Sequence, residues 1–407
     1  MSDSVSPHGV SSSRPFLLVW SLYSVLMLLG VWLLLFPSGL TERMDFRQLY
    51  AGGYLARTDP AHLYEYERQK EVQDAHVSKA EGLLPFIRPA YEALLISPVS
   101  RLPYRRAYFC FLSVNLRLLT ACFFLGRDVF SRPGIIAQPR PGLQLFAFFP
   151  VTVAILQGQD SVLFLLGLCF VYRLLVSSKR FLAGVILALL LFKPQIALPL
   201  ALFLTARYGL SLIAGFAVGG TFVSAASIAV VSWPGFVELG RVLLRTGSVS
   251  VSRNLPTGSL GVFPFIMPNL RGLILGLTGW FLPGKVVLAL TIALSVCIVL
   301  WGMRVVTGTR LDFDAAFSLA TACSVLVSYY LHIHDLTVMQ IPLGLMAASK
   351  NSYLSKSTLL FYLAPQFVVL FAHNFIYLLA LPVGMLVYGV FQISRATDPR
   401  PRDGRAL

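Results

Sequence analysis

The chain has 407 residues, of which 56% are hydrophobic and only 13% charged, and its mean hydropathy is +0.74. Soluble domains carry about 25% charged residues, so a water-soluble fold of this length is excluded and lipid is the expected solvent. The net charge of +15 would point to nucleic acid on a soluble protein, but here the basic residues mark the ends of apolar runs, which is how topology is fixed in a bilayer, and no nucleic-acid partner is expected.

Residues 1–14 read as a cytoplasmic tail. The first apolar run, 15–37, is long enough to cross a bilayer and longer than a signal-peptide core, and no small-residue cleavage site follows it. Further spans are predicted near 107–125, 142–156, 161–177, 181–192, 194–206, 209–231, 286–306, 314–330, 336–349, 357–372 and 374–393. Several fall short of the ~20 residues of an ideal span. Short or broken helices survive in lipid when their backbone faces protein or a watery hollow, so an internal polar site is expected. The stretch 271–283, broken by three glycines and Pro283, reads as a re-entrant or interfacial piece.

Two large outer regions separate these spans, at about 38–106 and 232–285. In the first, helices are expected over 45–55 and 65–80 with a turn at Thr58-Asp59-Pro60, and the apolar stretch 93–99 dips into the interface. Short inner loops contain Arg127, Arg132, Arg140, Lys179, Arg180, Arg207, Arg304, Arg310, Lys350 and Lys356. The short outer connections at 157–160, 331–335 and 373–374 contain no Lys or Arg. That asymmetry puts both termini in the cytoplasm. The Pro/Arg-rich tail, 394–407, reads as disordered. The expected fold class is an all-α polytopic membrane protein, one domain over 15–393 with about a dozen transmembrane helices and a large structured first outer loop. The five cysteines lack metal-ligand spacing, so no metal site or cofactor is expected; metal dependence is left open.

Polar residues at the outer face are the candidates for chemistry. Asp45 follows the end of the first span and lies between Met44 and Phe46; it is either a general base or a solvated acid capping a helix. Lys193-Pro194 interrupts an apolar run. A lysine at mid-membrane depth costs roughly 2.5–3.5 kcal/mol on insertion scales, and proline beside it breaks the helix. If the run is two half-length segments, Lys193 reaches the outer face and could meet a phosphate; otherwise it snorkels. His332-Ile333-His334-Asp335 could bind metal, relay a proton, orient another carboxylate, or simply cap helices. Gln157-Gly158-Gln159-Asp160 is a tight outer turn, and Arg271 in Asn269-Leu270-Arg271-Gly272 is a plausible anion ligand. No nucleotide-binding loop, nucleophile elbow or zinc-protease motif occurs.

Taken in order, these residues form a series. It begins with Asp45-Phe46, Tyr50-Ala51-Gly52-Gly53 and Asp59-Pro60-Ala61-His62-Leu63-Tyr64. It continues through Pro85-Phe86-Ile87-Arg88-Pro89, Leu102-Pro103-Tyr104, Gly158-Gln159-Asp160-Ser161 and Lys193-Pro194-Gln195, and closes with Asn269-Leu270-Arg271-Gly272-Leu273 and His334-Asp335-Leu336. The series resembles family 87 of the glycosyltransferases, the polyprenyl-phosphate-sugar-dependent GT-C enzymes that include mannosyltransferases and arabinofuranosyltransferases. The resemblance covers nearly the whole chain.

It implies a GT-C-type bundle in the plasma membrane, a polyprenyl-phosphate-sugar donor, a lipid or glycan acceptor, and transfer on the outer face among membrane lipids. The family's first-loop aspartate is its catalytic base, a role that passes to Asp45. The family's histidine near that base matches His334 or His332. Lys193 and Arg271 match positions expected at the donor phosphate, and Tyr50, Arg88, Gln159, Asp160, Asn269 and Asp335 are expected to bind substrate. Family members often have Tyr-Pro-Pro where this chain has Ile87-Arg88-Pro89, so Arg88 alters the expected acceptor entrance. The rival classes are a secondary transporter, which broken helices and intramembrane charge suit equally well, and another lipid-linked enzyme such as a sugar-polymer ligase.

Overall fold

The computed structural model describes residues 22, 40–130, 145, 148–248, 266–279, 281–308, 311–347, 349 and 351–396. The first expected span (apart from Leu22), the middle of the second outer region, the N-terminal tail, residues 397–407, and Arg132, Arg140, Arg310 and Lys350 lie outside them. Among the described residues all regular structure is helical, with no strand.

Among the described residues, four helices are long and apolar enough to cross a membrane: Tyr104–Leu125, Leu210–Leu244, Gly284–Thr307 and Asn374–Gln392. The Gly284–Thr307 helix leaves Leu288, Leu290, Ile292, Leu294, Val296 and Leu300 exposed, an apolar face that lipid would cover. Other predicted spans appear as shorter apolar helices, among them Ser161–Val176, Arg180–Leu189 and Phe313–Val327. The last buries every side chain from 315 to 326. A helix enclosed on all sides by others is hydrophobic all round and need not match the bilayer's thickness.

One tight seam fixes the bundle. Arg180–Leu189 and the long helix Leu210–Ser248 approach so closely that a Cβ on Gly184 would lie 2.1 Å from the Leu212 carbonyl oxygen, and one on Gly215 would lie 1.9 Å from that of Phe181. Lipid gives helices no hydrophobic reason to associate, so small residues that admit backbone contact supply dispersion instead. The long helix breaks at Ser232, whose φ of 60° and ψ of 177° lie in a region otherwise reserved for glycine, two residues before Pro234.

The first large region folds into three short helices: α1 (Phe46–Thr58), α2 (Tyr66–His76) and α3 (Ala90–Ile96). Helix α1 runs three residues past the predicted end and stops where Pro60 forces Asp59 out of the helical region (φ −155°). Helix α2 ends four residues early because Ser78 starts a separate turn, its hydroxyl accepting from the Ala80 amide. Gln69 and Gln73, one turn apart on α2, act as a strand partner for the extended segment that follows. Gln69 donates to the carbonyls of Leu63 (2.8 Å) and Phe86 (3.1 Å) and accepts from the Phe86 amide (2.6 Å). Gln73 pairs with both backbone groups of Leu84 at 2.6 and 3.0 Å. The Tyr64 hydroxyl then donates to the Arg88 carbonyl at 2.9 Å. These bonds satisfy a buried, otherwise unpaired backbone and deliver Arg88 to the site. The predicted interfacial stretch is half buried: Ala93 and Ile96 face the core, Leu94 and Leu95 are exposed.

Candidate active site

Asp45 is the N-terminal flanking residue of α1, yet its side chain makes no capping bond. The carboxylate instead turns into a cavity of about 810 Å³, lined by Asp45, Arg88, Gln159, Lys193, Arg271 and His334 among others. Its Oδ2 accepts from Gln159 Nε2 at 2.7 Å and lies 4.0 Å from His334 Nδ1. The side chain is 27% exposed.

The 157–160 turn is built into the underside of α1. The Gln157 carbonyl accepts from the Phe46 amide at 2.9 Å. Gly158 sits at φ +62°, and a Cβ there would lie 2.7 Å from Phe46 Cβ; only glycine meets both demands. Asn115, fully buried on the Tyr104–Leu125 helix, donates to the Gln159 carbonyl at 2.9 Å. The backbone of the turn is thus fixed from two sides. Its side chains point at Asp45 (Gln159), at His334 (Gln157, 2.8 Å to Nδ1) and at the buried charges behind (Asp160).

Lys193 is the hub of those charges. It precedes helix Pro194–Tyr208 and is 2% exposed. Its Nζ donates to Ser161 Oγ at 2.8 Å, pairs with Asp160 Oδ1 at 2.8 Å, and pairs with Asp335. Its hydrogen bonds go to Ser161 and Asp335, while Asp160 meets it as an ion pair. Asp335 in turn accepts from the His332 amide at 2.9 Å and from Ser161 Oγ at 3.3 Å, and lies 3.6 Å from His334 Nε2. Arg88 bonds Glu92 Oε1 (3.0 Å), Asp160, and Gln159 Oε1 (2.8 Å). Three buried carboxyls therefore face two cations. Burial pushes Glu92 upward from its ordinary range, the direction that removes the surplus negative charge. Burial also outweighs the pull of Asp335 and holds His334 well below its ordinary value, so the imidazole is neutral at pH 7.

Arg271 enters the cavity differently. Its guanidinium stacks on the Tyr329 ring at 4.0 Å and donates to the Tyr329 carbonyl at 3.3 Å. Among the described residues it forms no ion pair with a carboxylate. The lining of the same cavity also includes the apolar side chains of Leu198, Leu243, Ile266, Val327, Val369 and Ile376.

The structure thus brings Asp45, Arg88, Gln159, Lys193, Arg271, His332, His334 and Asp335 to one hollow, with Asp160 directly behind it. His334, not His332, lies against Asp45; His332 bonds the Tyr330 hydroxyl at 2.9 Å. Two expected substrate ligands fall elsewhere. Tyr50 is 2% exposed in the aromatic core, its hydroxyl donating to the Leu102 carbonyl. Asn269 caps the Leu270–Thr278 helix by accepting from the Gly272 amide and donates to the Ser328 carbonyl. Each has its polar groups spent on backbone, which is why neither reaches the cavity. Sequence reasoning missed Glu92 and Asn115, and gave no role to Gln157 or Ser161. Glu92, an acid beside an apolar stretch and four residues after Arg88, carried a readable helical-pair signal; Asn115 carried none.

No group of three or more metal-ligating side chains occurs among the described residues. A carboxylate beside a neutral histidine can take up a proton, and a cation in the same partly apolar hollow can meet an anion. The comparison with family models makes this particular: glycosyltransferase family 87 matches residues 86–328. The chain belongs to that family and is a glycosyltransferase, acting on a sugar donor and an acceptor; its long apolar helices and its family mark it as a membrane protein. The matched stretch contains Arg88, Gln159, Lys193 and Arg271, while Asp45, His332, His334 and Asp335 lie outside it. Comparison with curated proteins and with solved structures gave no match.

Proposed function

We propose that the chain is an inverting glycosyltransferase of the plasma membrane. It moves a sugar, mannose in the first instance, from a polyprenyl-phosphate donor to a hydroxyl of a lipid or glycan acceptor on the outer face, with Asp45 as general base. In this reading the described helices belong to a bundle of about a dozen spans, with both termini in the cytoplasm. Family membership decides against a transporter.

One observation carries the assignment of the base. Two carboxylates line the cavity, Asp45 and Asp335. Asp335 is committed through both oxygens, to Lys193, Ser161 and the His332 amide. Among the described residues Asp45 commits only Oδ2, to Gln159. Its Oδ1 remains to take the acceptor's proton. The acceptor oxygen then attacks the anomeric carbon from the face opposite the phosphate. The bond from that carbon to the phosphate oxygen breaks, and its electron pair leaves with the polyprenyl phosphate. A single displacement inverts the centre and needs one base and no covalent sugar–enzyme intermediate. Negative charge grows on the departing phosphate, and a cation already in place stabilises it. Arg271 pairs with no carboxylate among the described residues, and the cavity it shares has apolar lining for the prenyl chain; Lys193, paired with two carboxylates, supports the site rather than the phosphate.

The test is an assay of purified protein with radiolabelled polyprenyl-phosphate sugars and a lipid extract. Product is expected with one donor. Asp45→Asn keeps the side chain's shape and should lower turnover by at least about a hundredfold, the usual contribution of a positioned base. Equal turnover by both proteins would remove Asp45 from the chemistry.

A further inference from the structure

Gln159 connects two groups of opposite demands. Arg88 Nη2 donates to its Oε1 at 2.8 Å, and its Nε2 donates to Asp45 Oδ2 at 2.7 Å. A guanidinium can only donate and a carboxylate can only accept, so the amide has one possible orientation between them. Without Arg88 it could turn over and present its oxygen to Asp45, replacing an attraction by a repulsion. Arg88 is itself immobilised. Its carbonyl is held by Tyr64, and its guanidinium by Glu92 and Asp160; its side chain is 12% exposed.

We infer that Arg88 is a positioning residue that acts through Gln159: it locks the amide so that Asp45 Oδ2 is always occupied by a donor and Oδ1 is the oxygen presented to the acceptor hydroxyl. This rests on Asp45 being the base. It reassigns both Arg88 and Gln159 from substrate ligands to parts of the base's support. Gln159 supplies a donor that favours the ionised carboxylate. Arg88 supplies the orientation, which is why an arginine can stand here, where a neutral residue would leave the amide free to turn.

The test is the pH dependence of kcat/KM for the acceptor at saturating donor. It compares wild type, Gln159→Met, the paired variant Arg88→Gln/Glu92→Gln, the combination of all three changes, and Asp45→Asn. Methionine keeps the volume of Gln159 and removes its donor. The paired variant withdraws a cation and a carboxyl together, so Glu92 is not left facing an empty place. Gln159→Met should move the acidic limb of the profile upward, the direction expected when a carboxylate loses a donor. Its kcat should fall about tenfold, with KM for donor and acceptor within about twofold. The paired variant should shift the limb in the same direction and by less. Combining it with Gln159→Met should add nothing, because both act through one bond. A limb that stays put, a rise in KM without a limb shift, or full additivity overturns the positioning role. If the limb stays put while Asp45→Asn is inactive, the base stands and only the support is wrong. If Asp45→Asn turns over normally, the base falls and the positioning role falls with it.

Discussion

Lys193 and Arg271 line the same cavity and are held in opposite ways. Lys193 hydrogen-bonds Ser161 and has two carboxylates around it. Arg271 has an aromatic ring beneath it and pairs with no carboxylate among the described residues. Both are buried, at 2% and 6% exposure. The difference lies in the counting of counter-ions. A buried cation surrounded by its own carboxylates is part of the fold, since removing it strands charge in low dielectric. A buried cation without them is held ready for an anion that arrives from outside, and a ring face meanwhile offsets part of its desolvation.

The comparison breaks most sharply at Lys193. Lys193→Met should cost about 3–5 kcal/mol of stability, because Asp160 and Asp335 lose their shared cation inside the protein. The measurement is the unfolding midpoint in detergent together with the yield of folded protein. A variant that keeps the wild-type midpoint and loses only donor affinity would make the lysine the phosphate ligand and invert the contrast.

Arg271→Met sharpens the contrast from the other side, and its effect on folding should be small. With no carboxylate left unpaired, the midpoint should stay close to wild type. The donor's kcat/KM should fall about tenfold to a hundredfold, the range for a lost hydrogen bond to a charged group. KM should rise because the phosphate is charged in the ground state, and kcat should fall because that charge grows as the bond breaks. Steady-state kinetics with varied donor separates the two. An unaltered KM for donor would place the phosphate elsewhere.

Much of the site could be read along the chain, because its residues sit beside signals of local structure. Asp45 follows the first apolar run, Gln159 and Asp160 lie in a tight turn, Lys193 precedes a proline, and His334 falls in a short polar connection. Each is a polar residue where an apolar run stops. What could not be read is which of them neutralise one another. The partners of Lys193 are 33 and 142 positions away, and that pairing is decided by how helices pack. The same ignorance made Lys193 and Arg271 look equivalent, and hid the bonds of Tyr50 and Asn269 to backbone groups of distant segments. Helix ends erred where a single capping or proline effect acts, as at Ser78 and Pro60. The spans expected at 161–177 and 314–330 appear as Ser161–Val176 and Phe313–Val327, short of a full bilayer crossing, because a helix walled in by others takes the length its neighbours need.

The smallest expected effect tests the ring beneath Arg271. Tyr329→Leu keeps an apolar side chain there but removes the aromatic face that the guanidinium contacts at 4.0 Å. A cation–π contact is worth about 0.5–2 kcal/mol, according to how dry its site is. If the ring serves the fold, that amount appears as a lower unfolding midpoint and donor kinetics stay unchanged. If the ring holds the guanidinium in readiness, the midpoint hardly moves and KM for donor rises about twofold to thirtyfold, because the side chain must be ordered anew each time a phosphate arrives. The second outcome is expected, since the Arg271–Tyr329 carbonyl bond survives the change and anchors the arginine's position without fixing the plane of its charge. In an Arg271→Met background the same substitution should leave KM where the methionine put it. A further rise there would mean that the tyrosine contacts the donor directly and owes nothing to the arginine.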